Sequence, residues 1–183
     1  MHFALCDYIL DVAQNSVEAG ARNIELDLVE RDGRIAVRVS DDGRGMTEDE
    51  KARALDPFYT DGTKHKSRKI GLGLPFLVQA VETVGGEWKL ESRKGEGTTL
   101  RFSFPADHVD TPPLGDVAGL FRAVLSFAIG CEVRIRRYRA DGIAGEGTEY
   151  EVLRSVLEEA IGNLSEASSL LILGRYLESL ERP

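Results

Sequence analysis

The chain has 183 residues, 42% hydrophobic and 30% charged, with a formal net charge of −8. That length holds one full domain and a smaller addition, and the composition is that of a soluble globular protein without nucleic-acid affinity of the non-specific kind. No apolar run approaches the roughly eighteen residues that span a bilayer, and the N-terminus lacks the basic start and apolar core of a signal peptide, so no membrane is expected and the cytoplasm is the expected compartment.

In chain order, Phe3 to Ala19 reads as a helix, because Leu5, Ile9, Val12, Ala13 and Val17 recur at helical steps and Gly20 stops it. Asp7, Asp11 and Asn15 follow one another at four-residue intervals on the other side. Each is displaced by only about 40° from the last, so they form one polar stripe. Asparagine is a poor residue for a helix interior, which sets this stripe apart from an ordinary solvated face.

Asn23 to Glu30 and Ile35 to Ser40 alternate apolar and polar residues, and Asp32-Gly33 joins them as an antiparallel hairpin. The second strand runs into Asp41-Asp42-Gly43-Arg44-Gly45-Met46. A strand ending in a carboxylate delivers a fixed acceptor to the rim of a sheet. The glycines behind it free the backbone to take positive φ and to approach a ligand closely. Asp-Gly is also ordinary turn chemistry, so the hexapeptide gains weight only from its company.

Thr47-Glu48-Asp49-Glu50 has the form of a capping box, a short helix runs toward Leu55, and Pro57 ends it. From Tyr59 to Ile70 there is no periodicity, while Lys64, His65, Lys66, Arg68 and Lys69 crowd the second half. Such a run is either a solvated loop or a set of flexible cations laid over an anion. Gly71-Leu72-Gly73-Leu74 then precedes Pro75 and a helix whose buried stripe is Phe76, Leu77, Ala80, Val81 and Val84. A helix N-terminus of this kind offers N–H groups to an anion. It is not a dinucleotide fingerprint, because Phe76 stands in the third glycine's place, and there is no Walker-type lysine.

Trp88 to Ser92 and Thr99 to Phe104 form a second hairpin around Gly95-Glu96-Gly97-Thr98, and Pro105 marks a boundary. A linker with Thr111-Pro112-Pro113 leads to a helix over Asp116 to Ile129, strands over Glu132 to Tyr138 and Thr148 to Val152, and helices around Leu153 to Ile161 and Glu166 to Leu180. Gly145-Glu146-Gly147-Thr148 repeats the earlier turn, and it reads as shared hairpin chemistry. Cys6 and Cys131 have no metal-ligand spacing and read as buried thiols.

Taken together and in this order, these stretches resemble the GHKL ATPase superfamily of gyrase, heat-shock chaperone, histidine kinase and MutL. Asn15 lies in the N box, Asp41 to Gly45 match the D-x-G-x-G box, and Asp56-Pro57-Phe58-Tyr59 resembles the F box. Gly71 to Leu74 match the second glycine box and Gly95 to Thr98 the last one. The resemblance covers about residues 3 to 105. It implies an α/β fold, a two-layer sandwich with a mixed, mainly antiparallel sheet and helices on one face, followed by a small C-terminal α/β tail. The expected division is 1–105 for the ATPase domain, 106–115 for a linker and 116–183 for the tail.

The resemblance further implies ATP and Mg2+ as cofactors. Asp41 would take the adenine amine with Thr98 assisting through water, Met46 and Ile70 would wall the base, and Asn15 would ligate the metal. Gly43, Gly45, Gly71, Leu72, Gly73 and Leu74 would form the nucleotide cradle, and Lys64 would belong to the lid. Asp11 stands where hydrolytic members carry the glutamate that activates water, and it is shorter by one methylene, or about 1.5 Å. The expected activity is slow hydrolysis or phosphoryl transfer to an unidentified protein partner or phosphoacceptor, in regulation or signalling. The alternative is an ATP-dependent conformational switch. Transfer to the chain's own histidines is not expected, since His2, His65 and His108 are not presented on a helix facing a second protomer. A homodimer is left open.

Overall fold

The computed structural model describes residues 4–57, 73–140 and 147–182. Its centre is a six-stranded sheet built from β1 (Asn23–Arg31), β2 (Arg34–Asp41), β3 (Glu87–Arg93), β4 (Gly97–Pro105), β5 (Glu132–Ala140) and β6 (Gly147–Leu153) in the order β3-β4-β2-β1-β5-β6. Every neighbouring pair is antiparallel except β1 and β5, which run parallel. The sheet is therefore mixed and mainly antiparallel.

Side-chain alternation explains why one face is covered. Ile24, Leu26 and Leu28 of β1, Ile35, Val37 and Val39 of β2, Leu100, Phe102 and Phe104 of β4, and Val133 and Ile135 of β5 are all buried. Burying each such side chain contributes about 1.5–3 kcal/mol. The helices lie over this face: α1 (Leu5–Glu18) against β2, α3 (Gly73–Thr83) against β3 and β4, and α5 (Arg154–Ile161) against β5 and β6. α4 (Val117–Phe127) packs between α1 and α6 (Ala167–Glu181). The opposite face carries paired charges, with Arg38 bound to Glu25 and Asp27 and Arg136 bound to Asp27.

The chain beyond Pro105 extends the same sheet, with β5 beside β1 and β6 outside it. Its apolar residues join one continuous core with those of the first hundred residues. The linker takes part as well. Leu5 donates its N–H to the carbonyl of Pro113 (2.8 Å) and Cys6 donates to that of Leu114 (3.0 Å). Helix α1 begins at Ala4, whose side chain cannot cap, so backbone carbonyls from the linker satisfy N–H groups that a helix start otherwise leaves open.

One inward position of β5 is charged. Arg137 is 2% exposed; it bonds the carboxylates of Glu30 and Glu181 and the carbonyls of Leu28 and Tyr138. A buried guanidinium is tolerable only when so fully partnered, and here the partners tie the last turn of α6 to the sheet.

Candidate functional site

The site forms where the end of β2 meets α1. Asp41 is the last residue of β2, and because Val39, Val37 and Ile35 face the helices, so does its carboxylate. Ser16, buried on the sheet-facing side of α1, donates its hydroxyl to Asp41 Oδ2 at 2.8 Å. The N–H of Gly43 donates to Asp41 Oδ1 at 2.9 Å. An ionised carboxylate accepts at about four lone-pair positions. With one donor on each oxygen, Asp41 is fixed in direction and still able to accept from a ligand.

The glycines have geometric reasons. A β-carbon on Gly43 would stand 2.8 Å from the Ala19 Cβ and 2.9 Å from Asp41 Oδ1. Gly45 has φ +58°, and a β-carbon there would lie 1.9 Å from the carbonyl oxygen of Arg93. The loop after β2 is thus pressed between the end of α1 and the β3–β4 turn, and Arg44 bonds to both through its N–H to Ala19 and its carbonyl to Gly95. Asp42 locks the outer side, accepting from the N–H groups of Arg22 and Asn23 and from the Asn23 amide. Burial pushes its carboxyl up, but the Asn23 and Arg22 donors outweigh burial and hold it below the usual carboxylate range.

Thr98 faces Asp41 directly across the β2–β4 pair. Its hydroxyl is 2.9 Å from that of Ser92, which also accepts from the Met46 N–H (2.9 Å) and donates to the Gly97 carbonyl (3.1 Å). Donation from Thr98 to Ser92 satisfies this whole set, and it leaves the lone pairs of Thr98 to accept. Met46 is half-buried beside it.

Asn15 and Asp11 lie on the exposed side of α1, one turn apart. Asp11 reaches the start of α3: a β-carbon on Gly73 would stand 2.7 Å from Asp11 Oδ2 and 3.1 Å from its Cβ. Leu74 packs against the core. Asp7, read in sequence as part of the same stripe, accepts from the Ala4 N–H at 2.9 Å and closes the helix start instead. Lys64, Ile70, Gly71 and Leu72, with Phe58 and Tyr59, lie outside the described residues. Ser16, Ser92 and Ala19 were not singled out in the sequence. A serine on the buried side of an amphipathic helix gives no periodic signal, although its place beside Asn15 could have drawn attention. Two clefts of about 300 and 580 Å³ lie elsewhere, at the starts of α1 and α4 and beside Arg137.

A fixed carboxylate at a sheet rim, glycine-backed and faced by a hydroxyl, within a helix-covered mixed sheet, is an oriented acceptor site in an α/β sandwich. The comparisons with known proteins place the chain in a family. Residues 4–108, more than half of the chain, match the family described as histidine kinase-, DNA gyrase B-, and HSP90-like ATPase, and the chain belongs to that family. Among its relatives, sporulation kinase E of Bacillus subtilis is 38% identical over 71 residues, which cover 39% of this chain and 9% of the kinase. The sensor histidine kinase WalK of the same organism is 30% identical over 104 residues, 55% of this chain and 17% of WalK. The chain therefore matches only a small part of the length of these relatives. The catalytic domain of histidine kinase ThkA, in a nucleotide-free form, aligns with 55% of this chain and 64% of its own at 25% identity, with a TM-score of 0.42.

Proposed function

We propose that the chain binds Mg-ATP and uses it for slow hydrolysis or for phosphoryl transfer to a separate protein partner in signalling. The observation that carries this reading is the fixing of Asp41 by Ser16 and Gly43 opposite Thr98. A purine amine needs one oriented acceptor, and this arrangement supplies it.

The remaining chemistry fits a metal that arrives with its nucleotide. Among the described residues there is no group of three or more His, Cys, Asp or Glu side chains able to hold an ion unaided. Magnesium keeps most of its waters and accepts phosphate oxygens, so a single amide oxygen from Asn15 is a sufficient protein ligand. The metal would supply charge neutralisation at the phosphates. Asp11, one helical turn from Asn15, would orient or deprotonate the attacking group. Lys64 and its neighbours would close over the phosphates, with Gly71 and Leu72 extending the cradle at the start of α3 and Ile70 walling the base.

A second reading, ATP as a conformational switch, is favoured by the linker's hold on α1. A helix that carries Asp11 and Asn15 and is capped by residues 113–114 would pass nucleotide-dependent shifts to the C-terminal elements. Under either reading we place the protein in the cytoplasm; no helix among the described residues is long and apolar enough to cross a membrane.

Release of inorganic phosphate from γ-labelled ATP by the full chain separates the two. Turnover abolished by Asp11→Asn is the expected result. Turnover unaffected by that substitution contradicts the assigned role, and tight binding without turnover selects the switch.

A further inference from the structure

The sheet ends at β3 on one side and at β6 on the other, and among the described residues no further strand pairs with either. Such an edge carries backbone N–H and C=O groups able to pair with another strand, and native proteins guard it with bulges, prolines or unfavourable charge. β6 is guarded. Its exposed side chains are Glu149 and Glu151, so an antiparallel second copy centred on Tyr150 would set them against each other. A slide of two residues either way would set one glutamate against its own copy, and like charges directly opposite are destabilising.

β3 is different. It runs Glu87-Trp88-Lys89-Leu90-Glu91-Ser92-Arg93, contains no proline, and pairs with β4 residue for residue without a bulge. Glu87, Lys89, Glu91 and Arg93 are exposed, while Trp88 and Leu90 are half-buried and pack against the core. The charges run acid, base, acid, base about Leu90, so reversing the strand turns each sign into its opposite. An antiparallel copy centred on Leu90 sets Glu87 against Arg93 and Lys89 against Glu91, with Trp88 against Ser92 and Leu90 against itself. A slide of two residues one way sets Lys89 against itself and Glu87 against Glu91. A slide the other way sets Glu91 against itself and Lys89 against Arg93. A slide of one residue mismatches the two faces of the strands.

We propose that β3 is where a second copy of this chain docks, edge to edge and antiparallel about Leu90. The two six-stranded sheets become one continuous sheet with the helices of both copies on the same face. This pairing does not depend on nucleotide binding. In the single chain Lys89 already lies 2.7 Å from Glu91, and Arg93 lies 3.6 Å from Glu96; exposed ion pairs of this kind contribute little. The attraction therefore comes from the backbone groups of the edge and from Leu90 and Trp88, while the charges fix the register and the partner.

The test is sedimentation velocity of the full chain over a concentration series in low salt, for wild type, Lys89→Glu, Glu91→Lys and an equimolar mixture of the two variants. Wild type is expected to dimerise as concentration rises. Each variant alone sets like charges opposite at two places and is expected to dimerise at least about tenfold more weakly. In the mixture every charged cross-strand pair is again opposite in sign, so dimers return as for wild type. That recovery itself requires both variants to be folded, and circular dichroism melts of each chain accompany the series. A wild type that stays monomeric up to about 1 mM overturns the proposal. So do single variants that dimerise as wild type does, and a mixture in which dimers fail to return.

Discussion

Ser16 and Asp41 lie 25 positions apart in sequence and are joined by a 2.8 Å hydrogen bond between α1 and the end of β2. The bond aims the carboxylate and also fixes where α1 sits on the sheet, so Asp41, which we propose as the adenine acceptor, and the helix bearing Asn15 and Asp11 share one reference point. The Val12 carbonyl, at 3.3 Å, competes for the same proton, and the shorter bond to a charged acceptor prevails.

Replacing Ser16 by alanine removes that donor while leaving the helix intact. A hydrogen bond to a charged group is worth roughly 1.5–3 kcal/mol, and water recovers part of it at this half-buried carboxylate. Ser16→Ala is expected to weaken ATP binding by about tenfold with secondary structure unchanged, as read by calorimetry beside circular dichroism. Wild-type affinity in the variant would show that Asp41 is oriented by the Gly43 N–H alone.

The strand and helix pattern was legible because alternation and helical spacing are local signals. Thr47, for example, caps α2 (Glu48–Leu55) and Glu50 completes the box, as the sequence implied. Other features carry no local signal. Nothing in Glu132 to Tyr138 says that β5 would pair in parallel with β1, since register between distant strands depends on the whole sheet. Asp7 fell on the same polar stripe as Asp11 and Asn15 because four-residue spacing does not distinguish a carboxylate that closes the helix start from others on the same face. The requirement for glycine at position 97, where φ is +100° and a β-carbon would lie 2.0 Å from the Asp41 carbonyl oxygen, depends on the β2–β4 approach and not on the turn alone.

The hold of the linker on α1 leads to a truncation experiment. A fragment ending at residue 108, where the family match stops, loses the Pro113 and Leu114 carbonyls and the α4 face that covers α1. The loss also uncovers apolar side chains of α1 and β1 that α4 and β5 now cover, at about 1.5–3 kcal/mol for each large side chain fully exposed, comparable with much of a domain's net stability. The fragment is expected to show no cooperative thermal transition and no ATP binding. Cooperative melting within a few degrees of the full chain would make the C-terminal segment a separate addition.

A pH effect follows from the clip between α2 and the β3–β4 turn. Lys94 Nζ lies 2.9 Å from Glu50 Oε1, and with the Thr47 N–H it pulls the Glu50 carboxyl from 4.5 down to about 2. Because the folded value is the lower one, the stabilisation is fully present above about pH 4.5 and is lost as pH falls through about 2. Lys94→Met should raise the Glu50 titration toward the ordinary carboxylate range in an NMR pH series and reduce the acid-dependent loss of stability in that window. An unmoved Glu50 titration would assign the shift to the capping box alone.

The central claim, that Asp41 is the adenine acceptor of an ATP site, is tested most directly by calorimetric titration of the full chain with magnesium and ATP or GTP, for wild type and Asp41→Ala. A carboxylate accepts from the exocyclic amine of adenine and repels the carbonyl oxygen that guanine presents at the same place. The expected result is ATP bound at least about tenfold more tightly than GTP by wild type, and a loss of about tenfold or more in ATP affinity in the variant. Equal affinity for ATP and GTP, or an Asp41→Ala chain that binds ATP as wild type does, would contradict the account.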